Sequence, residues 1–248
     1  MNFRVVIPAR FDSSRLPGKA LMVLAGKPML QWVHERARAS AASEVIVATD
    51  DERIAVAARD FGADVAMTAR THVSGTDRIA EVATSRGWPD SDIVVNVQGD
   101  EPLIPPRVID QVADLLAANA RADIATLAAK IESHADLADP NNVKVACDAG
   151  GRALYFSRAP IPFNRDAPTT LSAACLRHVG IYAYRVSALR KLSSLPASRL
   201  ELIEKLEQLR ALENGMEIRV ALAVERPLAD VNTAADLERA DRALLLRP

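Results

Sequence analysis

Two periodicities alternate along the first half of the chain, and their order predicts an α/β architecture. Val5, Val6 and Ile7 form a short β-branched run of the kind found in buried strands. Apolar residues then recur at helical spacing as Met29, Leu30, Trp32, Val33 and Ala37, which predicts a helix over 28–39 opened by Pro28, with His34, Arg36 and Arg38 on its wet face. Residues 44–49 read as a second buried strand, Asp50 and Asp51 as a capping turn, and 52–61 as a helix stopped by Gly62. A short strand at 64–67 leads into a polar loop, 71–78, and then a helix ending near Gly87 for which Thr76 is a candidate cap. The apolar run at 92–97 predicts a strong central strand, followed by an amphipathic helix over 107–119 and a strand over 124–131.

The pattern changes near residue 140. Residues 143–146 and 153–156 suggest a hairpin across Asp148 to Gly151, followed by a proline-rich loop at 159–168. Residues 176–185 alternate: Val179, Ile181 and Ala183 face one side with Arg177 in phase, while His178, Gly180, Tyr182 and Tyr184 face the other. Ser198 with Glu201 forms a capping box for one helix over 199–214, whose buried face would hold Leu202, Ile203, Leu206 and Leu209. A strand over 217–224 and a helix from Thr233 onward complete the chain. The expectation is a single domain, 1–248, with a less regular insertion at about 140–215 of the kind that holds a second substrate or a subunit interface.

Composition narrows the class. With 248 residues, 49% hydrophobic and 25% charged, the chain can bury its own core. Its 31 basic and 32 acidic residues give a net charge of −1, so no global field draws in nucleic acid or an acidic membrane. Cys147 and Cys175 show neither C-x-x-C nor metal-ligand spacing, which fits a reducing compartment. The N-terminal apolar run is too short for a signal peptide, and no stretch of 18 apolar residues occurs, so the expectation is a cytoplasmic, soluble protein.

Local charge carries the chemistry. Arg10, Arg15 and Lys19 lie on the loop after the first strand, among Ser13, Ser14, Pro17 and Gly18. Planar guanidinium forks, a point-charge ammonium and small residues that admit backbone N–H groups together suit a polyphosphate. A solvated basic loop is the competing reading. The loop is not a Walker P-loop, since Ala20 follows Gly18-Lys19, and no G-x-G-x-x-G is present. Ser74 and Arg78 sit where a nucleotide can reach them, although a helix N-terminus with hydroxyls is as often only a cap. Asp100 lies just beyond the central strand, where ligand sites gather in open α/β sheets. A carboxylate about 4 Å from a phosphate charge is repelled by about 4 kcal/mol unless a cation intervenes, and magnesium suits carboxylates shared with phosphate oxygens. Taken alone, Asp100 could equally cap the turn before Pro102. Likewise His178, sharing a face with two tyrosines, is either a packing residue or a sugar contact.

In order along nearly the whole chain, six segments resemble the motifs of the 3-deoxy-D-manno-octulosonate cytidylyltransferases, the CMP-KDO synthetases. These are Ile7-Pro8-Ala9-Arg10 with Ser14-Arg15-Leu16-Pro17-Gly18-Lys19, Ser74-Gly75-Thr76-Asp77-Arg78, Val95-Asn96-Val97-Gln98-Gly99-Asp100-Glu101-Pro102, Leu154-Tyr155-Phe156-Ser157-Arg158, and Arg177-His178-Val179-Gly180-Ile181-Tyr182. The first motif is shared with sialic-acid cytidylyltransferases; the combination is more specific. The resemblance implies a nucleotide-diphosphosugar-transferase-like, three-layer α/β fold with a mixed, mostly parallel central sheet, a homodimer and Mg2+. It implies transfer of CMP from CTP to KDO, with release of pyrophosphate, for lipopolysaccharide biosynthesis. Residue by residue, it implies that Arg10, Ser13, Arg15 and Lys19 grip the triphosphate, that Ser74 and Arg78 lie along the nucleotide, and that Arg10, Lys19 and Asp100 are catalytic. Gln98, Arg165, His178, Glu207 and Gln208 match the acidic-sugar positions, Arg165 being a candidate carboxylate partner.

One segment departs from the pattern. Where that family usually reads Val-Asp-Thr-Pro-Glu-Asp-Leu, this chain reads Val231-Asn232-Thr233-Ala234-Ala235-Asp236-Leu237. The metal set becomes Asp100 with Asn232, whose amide oxygen ligates without charge, and Asp230 as the source of the missing negative charge. The alternatives are a cytidylyltransferase for 8-amino-KDO or another acidic sugar, and a non-catalytic nucleotide-binding homologue. Pyrophosphate release discriminates the enzyme readings from the last.

Overall fold

The computed structural model describes residues 2–11, 16–225 and 230–246. Strands β1 (Phe3–Ala9), β2 (Val23–Leu24), β3 (Lys27–Pro28), β4 (Glu44–Thr49), β5 (Asp64–Met67), β6 (Ile93–Asn96), β7 (Ile124–Lys130), β8 (Lys144–Cys147), β9 (Ala153–Ser157), β10 (Leu176–Arg185) and β11 (Ile218–Leu222) run through the chain. The helices are α1 (Met29–Arg38), α2 (Glu52–Asp60), α3 (Gly75–Ser85), α4 (Pro106–Ala118), α5 (His134–Ala138), α6 (Val186–Ser194), α7 (Arg199–Glu204), α8 (Gln208–Glu213) and α9 (Ala234–Leu245).

The main sheet has the order β11-β7-β10-β6-β1-β4-β5, with β8 and β9 added beside β10. β10 is antiparallel to both β6 and β7, while the other neighbours along the path pair in parallel. The sheet is thus mixed and mostly parallel, as the sequence motifs imply. Alternation along β1 sends Phe3, Val5 and Ile7 into one core with α1, α2 and α4, and Val6 into a second core with α3, α6 and α8. Helices cover both faces, giving three layers. A third, smaller core packs α9 and Val231 against Leu24, Met29 and Leu103.

Several expectations are corrected. The single helix over 199–214 is two, because Lys205 adopts a left-handed backbone (φ 55°) that ends α7 and turns Leu206 into the core. Leu202 and Ile203 therefore face outward rather than inward, 54% and 67% exposed. His34 is buried rather than wet, its ring 5.4 Å from that of Phe61. Ser74 caps α3 in a reciprocal box with Asp77, and Thr76 instead hydrogen-bonds Glu207.

The outer edge of β11 is closed. Val220 N–H donates to Gly151 O at 2.8 Å, and the Gln111 amide both donates to Leu222 O (2.7 Å) and accepts from Val224 N (2.9 Å). Edge strands left open invite pairing with other chains, and here a turn and a side-chain amide occupy those groups.

At the start of β8, Lys144 is completely buried, and its ammonium donates to the carbonyls of Asp139 (2.9 Å), Asn142 (2.5 Å) and Arg158 (2.6 Å). Three carbonyls from two chain segments, 139–142 and Arg158, are pinned to one charge. Removing that charge leaves buried acceptors unmet, each at about 1–3 kcal/mol. Because the variant also no longer bears the cost of burying an ammonium, which offsets part of this, Lys144→Met should lower stability by about 2–4 kcal/mol in urea unfolding; a change within about 0.5 kcal/mol would mean that solvent reaches these carbonyls.

Candidate active site

Two loops and a turn converge at the carboxyl ends of β1 and β6. Pro8 organises the approach: a side chain at Gly99 would place its Cβ 3.1 Å from the Pro8 carbonyl oxygen, and one at Gly75 would meet the Pro8 ring at 3.2 Å. Glycine at both positions lets the Gln98-Gly99-Asp100 turn and the Ser74 loop close against β1. Lys19 Nζ then reaches Asp100 Oδ2 at 2.5 Å and the Val231 carbonyl at 3.0 Å, while Val231 N–H donates to Asp100 O at 3.0 Å. The hydrophobic anchoring of Val231 in the small core fixes Asp230 and Asn232 on either side of it.

A cleft of about 710 Å³ lies beside this junction, and Glu101, Arg158, Arg177, His178, Asp230 and Asn232 are among its lining residues. Burial, reinforced by the charges of Asp230 and Asp100, pushes the Glu101 carboxyl well up; burial and Asp100 push Asp230 up as well. Glu101 Oε2 is a buried oxygen without a hydrogen-bond partner. This concentration of hard oxygen donors suits a divalent cation such as magnesium. Among the described residues no cluster of three His, Cys, Asp or Glu is arranged as a ready metal site, so such an ion would take further ligands from phosphate oxygens and water.

Arg10 stands near a smaller pocket of about 340 Å³ with Phe11, Asp50, Asp51, Arg53, Arg70 and His72. Its Nη2 is buried without a hydrogen-bond partner, and burial followed by the like charge of Arg78 lowers its pKa. A guanidinium in that condition favours an incoming anion. Arg78 differs from expectation. It is fully buried, ion-paired with Asp50 at 3.0 Å and hydrogen-bonded to Thr68, so in the ligand-free protein it acts on Arg10 through its charge and presents no open surface. Ser74 is held in its cap by Asp77 N at 3.1 Å. Ser13 and Arg15 lie outside the described residues.

The sugar candidates are spread more widely than the sequence suggests. His178 lines the cleft, its ring 5.2 Å from those of Phe156 and Tyr182; burial, with Arg177 beside it, pushes its pKa down to about 3. Glu207 accepts from Thr76 Oγ1 at 2.7 Å, and with buried Gln208 it borders a separate small cavity against Tyr182 and Tyr184. Gln98 shares the Asp100 turn, where its carbonyl accepts from Glu101 N at 3.2 Å. Arg165 is exposed on the proline-rich loop and is not among the residues lining the cleft. Sequence reasoning passed over Glu101, Arg158 and Arg177 as site candidates. Arg177 did carry a signal, as a charge in phase with the buried face of β10.

The family model described as "Cytidylyltransferase" matches residues 4–218. The chain belongs to the cytidylyltransferase family. A 3-deoxy-manno-octulosonate cytidylyltransferase of Tolumonas auensis is 55% identical, covering 98% of this chain and 97% of the relative. One from Thioalkalivibrio sulfidiphilus is 51% identical, covering 98% and 99%. A solved CMP:2-keto-3-deoxy-manno-octonic acid synthetase complexed with CTP superimposes with a TM-score of 0.90 at 44% identity, covering 98% of each chain. A Leptospira borgpetersenii cytidylyltransferase, 19% identical with a TM-score of 0.65 and covering 100% of this chain and 87% of its own, shares the fold. The chain is thus a nucleotidyltransferase in a family whose members of this kind use the nucleotide-diphosphosugar-transferase-like fold.

Gly99→Ala tests the approach of the turn to β1. The new methyl meets the Pro8 carbonyl oxygen of β1 at 3.1 Å, closer than ordinary contact, so the turn should give way, Asp100 should shift and kcat fall about 10- to 100-fold with the circular dichroism spectrum unchanged. A kcat within about twofold of the parent would mean that the turn tolerates the methyl without moving Asp100.

Proposed function

We propose that this enzyme transfers CMP from CTP to the anomeric hydroxyl of 3-deoxy-D-manno-octulosonate, releasing pyrophosphate for lipopolysaccharide biosynthesis, as a cytoplasmic, magnesium-dependent homodimer. The observation that carries the reading is the Lys19–Asp100 pair, a phosphate-seeking cation and a carboxylate held 2.5 Å apart beside a cleft that contains Arg158, Arg177 and His178. The full-length relatives named for this activity support it. Exposed Leu202 and Ile203 on α7 support a partner subunit. Among the described residues no helix is long and apolar enough to cross a membrane.

Arg10 and Lys19 neutralise the triphosphate and the charge that grows on the departing pyrophosphate. Asp100 and Asp230, with the uncharged amide oxygen of Asn232, would hold a magnesium ion, which when bound polarises the α-phosphate and lowers the pKa of the sugar hydroxyl. The anomeric oxygen bonds to the α-phosphorus in line as the bond to the β-phosphate breaks, and the hydroxyl proton is released. No side-chain nucleophile is needed. The arginines of the cleft supply positive charge for the sugar carboxylate, opposite a neutral histidine suited to its hydroxyls.

Pyrophosphate release with CTP and magnesium, compared for KDO, its 8-amino analogue, sialic acid and no sugar, tests the reading. Turnover with KDO is expected; turnover with the amino sugar alone would make Asn232 a specificity feature, and silence with every sugar despite CTP binding would favour a non-catalytic nucleotide-binding protein. Asp100→Ala should cut turnover about 10²- to 10³-fold or more while the fold persists. Near-parental turnover in that variant would sink the role assigned to Asp100.

A further inference from the structure

β10 contains an irregularity next to its histidine. It pairs with β7 as Val179↔Leu127 and then as Tyr182↔Thr126, so Gly180 and Ile181 have no register partner. Where a ladder is interrupted, backbone carbonyls must find other donors. Here they find Thr126. Its Oγ1 lies 2.7 Å from Ile181 O, 3.1 Å from Val179 O and 2.9 Å from His178 Nε2, and the residue is completely buried.

Proton counting then fixes the roles. A threonine hydroxyl carries one proton, and carbonyl oxygens can only accept. That proton goes to a bulge carbonyl, with Ile181 O the nearer, and a lone pair of Oγ1 remains for the histidine. Nε2 must be the donor. The reverse arrangement would leave both carbonyls facing an oxygen without a proton, a penalty paid in buried surroundings. The ring is neutral, since burial and the adjacent Arg177 disfavour its charged form. A neutral imidazole protonated on Nε2 carries a bare lone pair on Nδ1. The two ring nitrogens point in divergent directions, so Nδ1 lies away from the Thr126 contact, and His178 is a lining residue of the cleft. Phe156, edge-on, and Tyr182 hold the ring plane, each with its centroid 5.2 Å away.

We propose that Thr126 is a positioning residue that locks His178 as its Nε2–H tautomer and so presents Nδ1 to the cleft as a hydrogen-bond acceptor for a hydroxyl of the acidic sugar. The tautomer stands on the geometry of the ligand-free protein; the hydroxyl partner rests on the function proposed above. A sugar offering a hydroxyl at that point is then favoured over one lacking it, because the latter leaves the acceptor unmet.

The experiment has two readouts. In long-range ¹H–¹⁵N spectra of ¹⁵N-histidine-labelled protein at neutral pH, His178, assigned with the His178→Gln variant, should show a protonated-type Nε2 and a pyridine-type Nδ1. Thr126→Val should erase that preference, whereas Thr126→Ser, which keeps the hydroxyl, should retain it. In parallel kinetics Thr126→Val should raise KM for the sugar about tenfold, one hydrogen bond's worth, with KM for CTP unchanged and the serine variant restored. An Nδ1–H tautomer in the parent protein, or a preference untouched by valine, overturns the proposal outright. A correct tautomer with unchanged sugar KM overturns the assignment of Nδ1 to the sugar. If the parent protein turns over no sugar at all, the proposed function fails, while the spectrum still decides the tautomer.

Discussion

The ammonium of Lys19 is the point on which the catalytic half of the molecule depends. It is shared between the carboxylate of Asp100, beyond β6, and the carbonyl of Val231, ahead of α9, while belonging itself to the loop after β1. Segments separated by 81 and 212 residues are thereby held at one place. The glycines that allow β1 and its neighbours to approach closely are the steric condition for that contact, and the small core around Val231 supplies its rigidity. A triphosphate entering here competes with a carboxylate for the same cation, which is a reason to expect a second cation once substrate is bound.

Around that contact, charge is distributed unevenly between two ends of the site. Arg10 and Arg78 lie close enough to repel, and the acidic groups Asp50, Asp77 and Glu207 offset them. At the other end Glu101, Asp230 and Asp100 crowd one another, and burial makes the crowding more costly. One end holds a buried guanidinium nitrogen of Arg10 without a hydrogen-bond partner, and the other a buried carboxylate oxygen of Glu101 without one. The anion and cation that the proposed function requires would each find an unmet group there, which gives that proposal a physical sense beyond the similarity of relatives.

Much of the fold was readable from the sequence because it depends on local rules. The β-branched runs that became β1, β4 and β6 and the turn that closes the β8–β9 hairpin follow from periodicity and turn chemistry. What was not readable depends on distant contacts. The left-handed Lys205 that splits the helix over 199–214 answers to Leu206 finding the core, and no propensity of lysine announces it. Arg78 sits in a motif that invites a ligand, yet it is buried against Asp50 because β4 and α3 bring that carboxylate beneath it. Lys19, Asp100, Asp230 and Asn232 could be assigned to one place from motif and position, and the structure brings them to one junction. Thr126 could not, since a threonine in a buried strand looks like ordinary β propensity until a bulge in another strand turns two carbonyls, 53 and 55 residues away, toward it.

The closure of the β11 edge limits how copies of this protein can meet. With Val220 N–H given to Gly151, and Leu222 O and Val224 N–H both satisfied by one glutamine amide, that rim carries few free backbone groups for another chain to extend the sheet. Any contact made at that rim is thereby left to surfaces read through side chains, where shape and apolar complementarity discriminate one partner from another. A continuous backbone ladder would accept nearly any extended strand, so Gln111 acts as a gatekeeper of specificity as much as a stabiliser of the fold.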